Sequence, residues 1–351
     1  MKLRNLLTRK TFIVIIVVIL ILAGIGISFY LSNKQKPTQE NQQKITHSFC
    51  LADNEVAIFQ FHGSRLRETS ADVIVTDKIT TRELFRFQID NIVPHYHPYE
   101  FHKCGVYVIR QFNYDIKTRR ATPGYRIELW KYNYSGTGNS VLLFSSTDEN
   151  GLYKSNFNSD FRIDPLEIYA ALISGYGGHP DFALVIRDIK VASNRFILLY
   201  EKLIAENPFL AGIYGLKEWT KKGDFFWADL FEAANVNAFI RIERETWKVD
   251  ILPAPKDVLG GDALNVENGY ITIQPDSPWI GIYEQEEIEK ERRRKEGIGT
   301  ELYIYNLFTK DQKFVASTTE PLWYFRPNWF SDTELQYELP TGEKKIYKIS
   351  E

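Results

Sequence analysis

Two hydrophobic patterns divide the chain. From Phe12 to Leu31 the sequence FIVIIVVILILAGIGISFYL is uncharged throughout, and about 20 such residues cross a hydrocarbon core of roughly 30 Å as a helix. Beyond residue 49, short stretches alternate apolar and polar positions, the period of a half-buried strand. A recurring unit predicts two strands in succession. The first members are Val56 to Phe61, Val106 to Phe112, Ile168 to Ser174, Phe225 to Phe231, Trp279 to Glu284 and Leu335 to Leu339. The second members are Asp72 to Lys78, Arg126 to Tyr132, Ala183 to Ile189, Thr246 to Ile251, Glu301 to Leu307 and Lys345 to Ile349.

Units start roughly 50–60 residues apart, and repeats of this size that cannot cover their own faces stack into arrays or rings. The expectation is an all-β fold, a β-propeller of about six blades, preceded by a single transmembrane helix. Turn chemistry agrees at Leu339 to Glu343 and in the Gly-Gly-His-Pro run at 177–180. Because the chain stops on a second-member strand and the repeat opens near Phe49 on a first-member strand, one terminal blade is expected to draw on both ends. The segment 283–297, YEQEEIEKERRRKEG, breaks the β pattern. Its acid-before-base pairs at i,i+4 and terminal Gly297 predict an exposed helix.

The stretch Pro327-Asn-Trp-Phe-Ser-Asp332 before Leu335, with Ile346 and Tyr347 following, resembles the repeat of TolB-like and dipeptidyl-peptidase-type β-propellers. Trp219 to Trp227 is a second partial copy, with Gly223 present and Lys222 where the motif has Asp. Thr333 stands where the motif has Gly, and Phe330 is an insertion. The resemblance implies a propeller over residues 49–351. It leaves function open, because one fold serves many chemistries.

The flanks orient the apolar segment. Lys2, Arg4, Arg9 and Lys10 precede it, so residues 1–11 are expected in the cytoplasm and the bulk of the chain on the far side. A cleaved signal peptide is the competing reading, but its apolar region runs only about 7–15 residues and ends in small residues. Residues 32–48 are polar and Gln-rich, a tether reaching at most roughly 50 Å.

The 351 residues are 44% hydrophobic and 25% charged, enough for a packed core. With 43 basic against 45 acidic residues there is no positive field for nucleic acid. The two cysteines, Cys50 and Cys104, are permitted to bridge outside the cytoplasm, although spacing alone leaves the pairing open.

Candidate chemistry is sparse. His95, His97 and His102 lie close to Cys104, but a structural role outweighs a metal site, and no cofactor is expected. No Gly-x-Ser-x-Gly elbow or phosphate-binding loop is present. Glu100, Asp160, Glu218 and Asp332 stand near the beginnings of inner strands and are candidates to line a ligand channel, as are Asp164 and Glu167 nearby. The seven Trp residues are expected to pack between blades. The sequence therefore points to a membrane-anchored extracytoplasmic binding or scaffold module of a cell envelope. Its partners would be the lipid bilayer, through residues 12–31, and a protein or glycan ligand. The alternatives are a tethered hydrolase or lyase of envelope glycan or peptide, and an assembly subunit docking through 283–297.

Overall fold

The computed structural model describes residues 50–349 apart from 63–69, 93–97, 116–119, 137–139, 147–156, 175–182, 192, 208–212, 233–234, 256–258 and 276–282. All of them belong to one compact unit, His47–Glu351. The apolar segment 12–31 lies outside the described residues. Among those described, no helix is long and apolar enough to cross a membrane.

The alternating stretches become six antiparallel sheets, each formed by strands consecutive in the chain. The first holds β1 (Glu55–Phe61), β2 (Ser70–Asp77) and β3 (Glu83–Asp90). The second holds β4 (Tyr99–His102), β5 (Gly105–Asp115), β6 (Arg120–Tyr132) and β7 (Ser140–Ser145). The third holds β8 (Phe157–Ile163), β9 (Tyr169–Ser174), β10 (Ala183–Asp188) and β11 (Ser193–Leu199). The fourth holds β12 (Ile213–Trp219), β13 (Phe225–Glu232), β14 (Asn235–Glu243) and β15 (Val249–Pro253). The fifth holds β16 (Leu259–Asn265), β17 (Tyr270–Gln274), β18 (Thr300–Asn306) and β19 (Gln312–Thr318). The sixth holds β20 (Asn328–Trp329), β21 (Glu334–Glu338) and β22 (Lys344–Lys348). Among the described residues, two helices interrupt the array, α1 (Tyr200–Glu206) and α2 (Tyr283–Glu296).

Four of the six predicted pairs form: β5 with β6 and β9 with β10 as central pairs of four-stranded sheets, and β1 with β2 and β21 with β22 within the three-stranded ones. Two differ. The partner of β18 is Tyr270–Gln274, not Trp279 to Glu284, whose last two residues open α2. Thr246 to Ile251 straddles the turn and start of β15, an outer strand, while β13 pairs with Asn235–Glu243 instead. In both places an apolar alternation identified a strand without identifying its neighbour, because period alone carries no pairing information. The expected blade built from both chain ends is also not what forms. Among the described residues β1 pairs only with β2 and β22 only with β21, so the first and sixth sheets stay separate and three-stranded.

The core is divided in the same serial way. Alternate residues of each strand face opposite neighbours, so β13 sends Phe226, Ala228 and Leu230 towards Ala171, Ile173, Leu184 and Ile186 of the third sheet. Its Trp227 faces Ile271 and Ile273 of the fifth. Corresponding clusters join the first sheet to the second, the second to the third, and the fifth to the sixth. Each fully buried Ile, Leu or Phe contributes about 1.5–3 kcal/mol, so stability resides between sheets.

Candidate functional site

The edge strands β4, β8 and β12 carry three of the sequence-predicted acids, Glu100, Asp160 and Glu218, while Asp332 lies in the turn after the edge strand β20. Phe101, Ile163 and Trp219 pair with the opening residues of their hairpins at equal register. Glu100, Arg162 and Glu218, one residue earlier, therefore occupy one step of the array. Glu100 does not project freely. Its Oε2 accepts a hydrogen bond from Ile163 N at 2.7 Å, tying β4 to β8, and lies 3.5 Å from His102 Nε2. Arg162 Nε performs the same task one sheet on, donating to Lys217 O at 2.7 Å. Glu218 is exposed. Asp160 lies on β8, and its side chain is outside the described set.

Trp219 and Trp329, the motif tryptophans, point the other way. Their Nε1 atoms donate to Arg162 O at 3.3 Å and Ala263 O at 2.9 Å, each a carbonyl on the edge strand of the preceding sheet. The Trp of the repeat is thus an inter-sheet clasp. Phe101 lacks the donor and instead joins an aromatic cluster with Phe59 and Tyr99.

The first-to-second strand turns meet in order along one end. Lys103 pairs with Asp53, Cys104 N donates to Glu167 Oε1 at 3.4 Å, and Lys221 N donates to Glu267 Oε1 at 2.5 Å. Asn268 Nδ2 donates to Asp332 O at 2.7 Å. The Asp332 carboxylate accepts Lys221 Nζ at 2.6 and 2.8 Å, so this acid bridges the fourth and sixth sheets at the turn end. Short polar side chains shape these turns: Asp164 Oδ1 accepts Ile168 N, Thr220 Oγ1 accepts Phe225 N, and Asn265 Oδ1 accepts Glu267 N.

The densest polar cluster lies where the second and third sheets meet. Glu167 occupies the left-handed region at φ 53°, at the turn position that Gly223 fills at φ 73° one sheet later. That conformation costs a non-glycine residue roughly 1 kcal/mol. The carboxylate is held by Lys131 Nζ and, at 2.6 Å, by the hydroxyl of the fully buried Tyr107. Burial raises the Glu167 pKa, but the hydrogen bonds from Lys131 and Tyr107 outweigh it and hold the carboxyl below its ordinary range. His102 stacks edge-on against Tyr107. Next to it Asp164, with no exposed surface, pairs with Arg244 Nη2 at 2.6 Å and couples the third sheet to the fourth.

Cys50 and Cys104 are joined by a disulfide, and Leu51 N donates to Lys103 O at 2.8 Å. Cys104 is thereby removed as a metal ligand. His95 and His97 lie outside the described residues. Among those described, no cluster of three or more His, Cys, Asp or Glu is placed to hold a metal ion.

One acid invisible to motif reading is Asp229 on β13. It is buried with Oδ1 unpartnered, and Oδ2 lies 2.8 Å from Lys217 Nζ. Burial pushes its pKa up, with Lys217 opposing. Its only sequence signal is a charge interrupting the run Phe-Phe-Trp-Ala-Asp-Leu-Phe.

No family model and no curated protein matches the chain. Solved structures similar to it include an oligogalacturonate lyase in complex with manganese, with 12% identity over 83% of this chain and 72% of that one, TM-score 0.48. Another is the β-propeller domain of the Trilobed protease from Pyrococcus furiosus, with 9% identity over 86% and 83%, TM-score 0.45. A third is the tricorn protease, with 10% identity over 85% of this chain and 28% of that one, TM-score 0.45. Likeness at this level carries no argument about activity.

Proposed function

We propose that this chain is a membrane-tethered β-propeller of about six blades, lying on the non-cytoplasmic side and serving as a binding or scaffold module of a cell envelope. The observation that carries this reading is that four of the candidate acids, Glu100, Asp164, Glu167 and Asp332, are engaged in holding sheets together. Glu100 caps β8, Asp164 binds Arg244, Glu167 binds Lys131 and Tyr107, and Asp332 binds Lys221. A glycosidase needs two carboxyl groups facing one bond, and acids committed in this way serve rigidity instead. The Cys50–Cys104 disulfide suits an oxidising compartment, which agrees with the charge-directed orientation of the 12–31 segment.

The test has two arms. In intact cells, a membrane-impermeant thiol reagent applied with an impermeant reductant is expected to label Cys50 and Cys104; labelling only after lysis would refute the orientation. Separately, Glu100→Gln, Glu218→Gln and Asp332→Asn are assayed for turnover on cell-wall glycan and peptide fragments. An activity present in the parent and lost in these variants would replace the binding reading with the hydrolase or lyase one.

A further inference from the structure

We infer that the end of the array carrying the first-to-second and third-to-fourth strand turns of the four-stranded sheets, the β20–β21 turn and the β2–β3 turn of the first sheet rests against the headgroup region of a phospholipid bilayer. The inference rests on the membrane-tether reading above and adds to it a specific face and a mode of contact.

Three observations converge on that end. The first is where the chain arrives. Cys50, the first described residue, is covalently held to the turn at Cys104, and Leu51 is hydrogen-bonded to Lys103 of the same turn. Whatever lies at residue 12–31 is therefore tethered to this face, through residues 32–48, which reach at most roughly 50 Å when extended.

The second is the distribution of exposed apolar side chains. Ile79 is 85% exposed, Phe330 69%, Val191 61% and Leu166 57%. Ile79 and Val191 sit at the tips of the β2–β3 and β10–β11 turns, and Leu166 and Phe330 at the tips of β8–β9 and β20–β21. These turns share one end. Lys78 N bonds Asn54 O beside the Asp53–Lys103 contact, and Ile189 N bonds Ile168 O. Singly exposed hydrophobic residues are ordinary, but four of comparable exposure at turn tips on one face are the arrangement by which a peripheral surface inserts into an interface. A side chain of similar exposure, Ile288 at 70%, is on α2. That helix joins a second to a third strand and so belongs to the opposite end.

The third is charge. Lys78, Lys190 and Lys222 are exposed among the apolar tips, as suits attraction to anionic headgroups. Among the acids at this end, Asp53 is paired with Lys103 and Asp332 with Lys221, while Asp224 and Glu245 are exposed.

The experiment uses the full chain in vesicles of phosphatidylcholine and phosphatidylglycerol. Both native cysteines are in the disulfide, so Ile79→Cys, Leu166→Cys, Val191→Cys and Ile288→Cys each give one site for an environment-sensitive dye. Headgroup-proximal spin-labelled lipid is expected to quench, and the bilayer to blue-shift, the dyes at 79, 166 and 191 while leaving 288 unchanged. Quenching at 288, or at none of the four while the chain still floats with the vesicles, overturns the proposed face and leaves the tether standing. Failure of the chain to float overturns the tether and the face together. Replacing Ile79, Leu166 and Val191 jointly by Ser should then abolish quenching of a dye at Phe330→Cys; unaltered quenching there would also overturn the proposal.

Discussion

At the scale of single residues, the chemistry turns on what each charged group has as a partner. Glu167 is the sharpest case, because a left-handed backbone and a half-buried carboxylate coincide. Glu167→Ala removes the pair with Lys131 and the acceptor for Tyr107 while keeping the backbone strain, and is expected to cost about 2–3 kcal/mol in denaturant unfolding. Glu167→Gly should be milder by about 1 kcal/mol, since glycine adopts this φ without penalty. The folded pKa of Glu167 is lowered, so its stabilisation is present above the unfolded value and lost as pH falls through the folded one. The stability gap between parent and Glu167→Gln should accordingly close below about pH 4. Asp229 has the opposite sign. Its raised pKa means the fold retains a proton that the unfolded chain releases, and stability falls as pH rises from about 4 through the folded value. Asp229→Asn should remove that slope and be no less stable than the parent at neutral pH. Equal pH profiles for the two proteins would contradict the burial argument.

Among elements, the contacts that decide the fold run between first strands and their turns. Trp219→Phe and Trp329→Phe preserve aromatic packing but remove the indole N–H donated to Arg162 O and to Ala263 O. A loss of about 1 kcal/mol each is expected from denaturant midpoints. Reducing the disulfide, which joins residues 54 apart, releases a loop whose closure entropy corresponds to about 4 kcal/mol. Thermal melts of Cys104→Ser should show it, as should those of the reduced parent. Much of this level could be read from sequence. The strand alternation, the turn at Leu339 to Glu343 and the charge ladder of α2 are local, and Leu339 N does bond Glu343 O while Lys290 pairs with Glu286. What could not be read was partnership, as at β18, where the residues before α2 alternate as plausibly as those of β17. Trp130 and Trp247 likewise look equivalent by pattern, yet one lies within β6 and the other in the turn before β15.

For the whole molecule, serial sheets place the first-to-second turns of the second to sixth sheets at one end, together with the start of β1, and that determines which faces are available to a ligand, a membrane or a partner. The sequence alone determined the all-β character, a recurrence of about six units, the apolar segment at 12–31 and the helix near 283–297, since each is set by periodicity or composition within a short window. Tertiary structure decided the rest. Glu100 meets Ile163, Asp164 meets Arg244, and Cys50 meets Cys104, so that Glu100 and Asp164 tie one sheet to the next. The physical reason is that these groups are separated by 54 to 80 positions in the chain, and only the packing of one sheet on the next brings them within hydrogen-bonding distance.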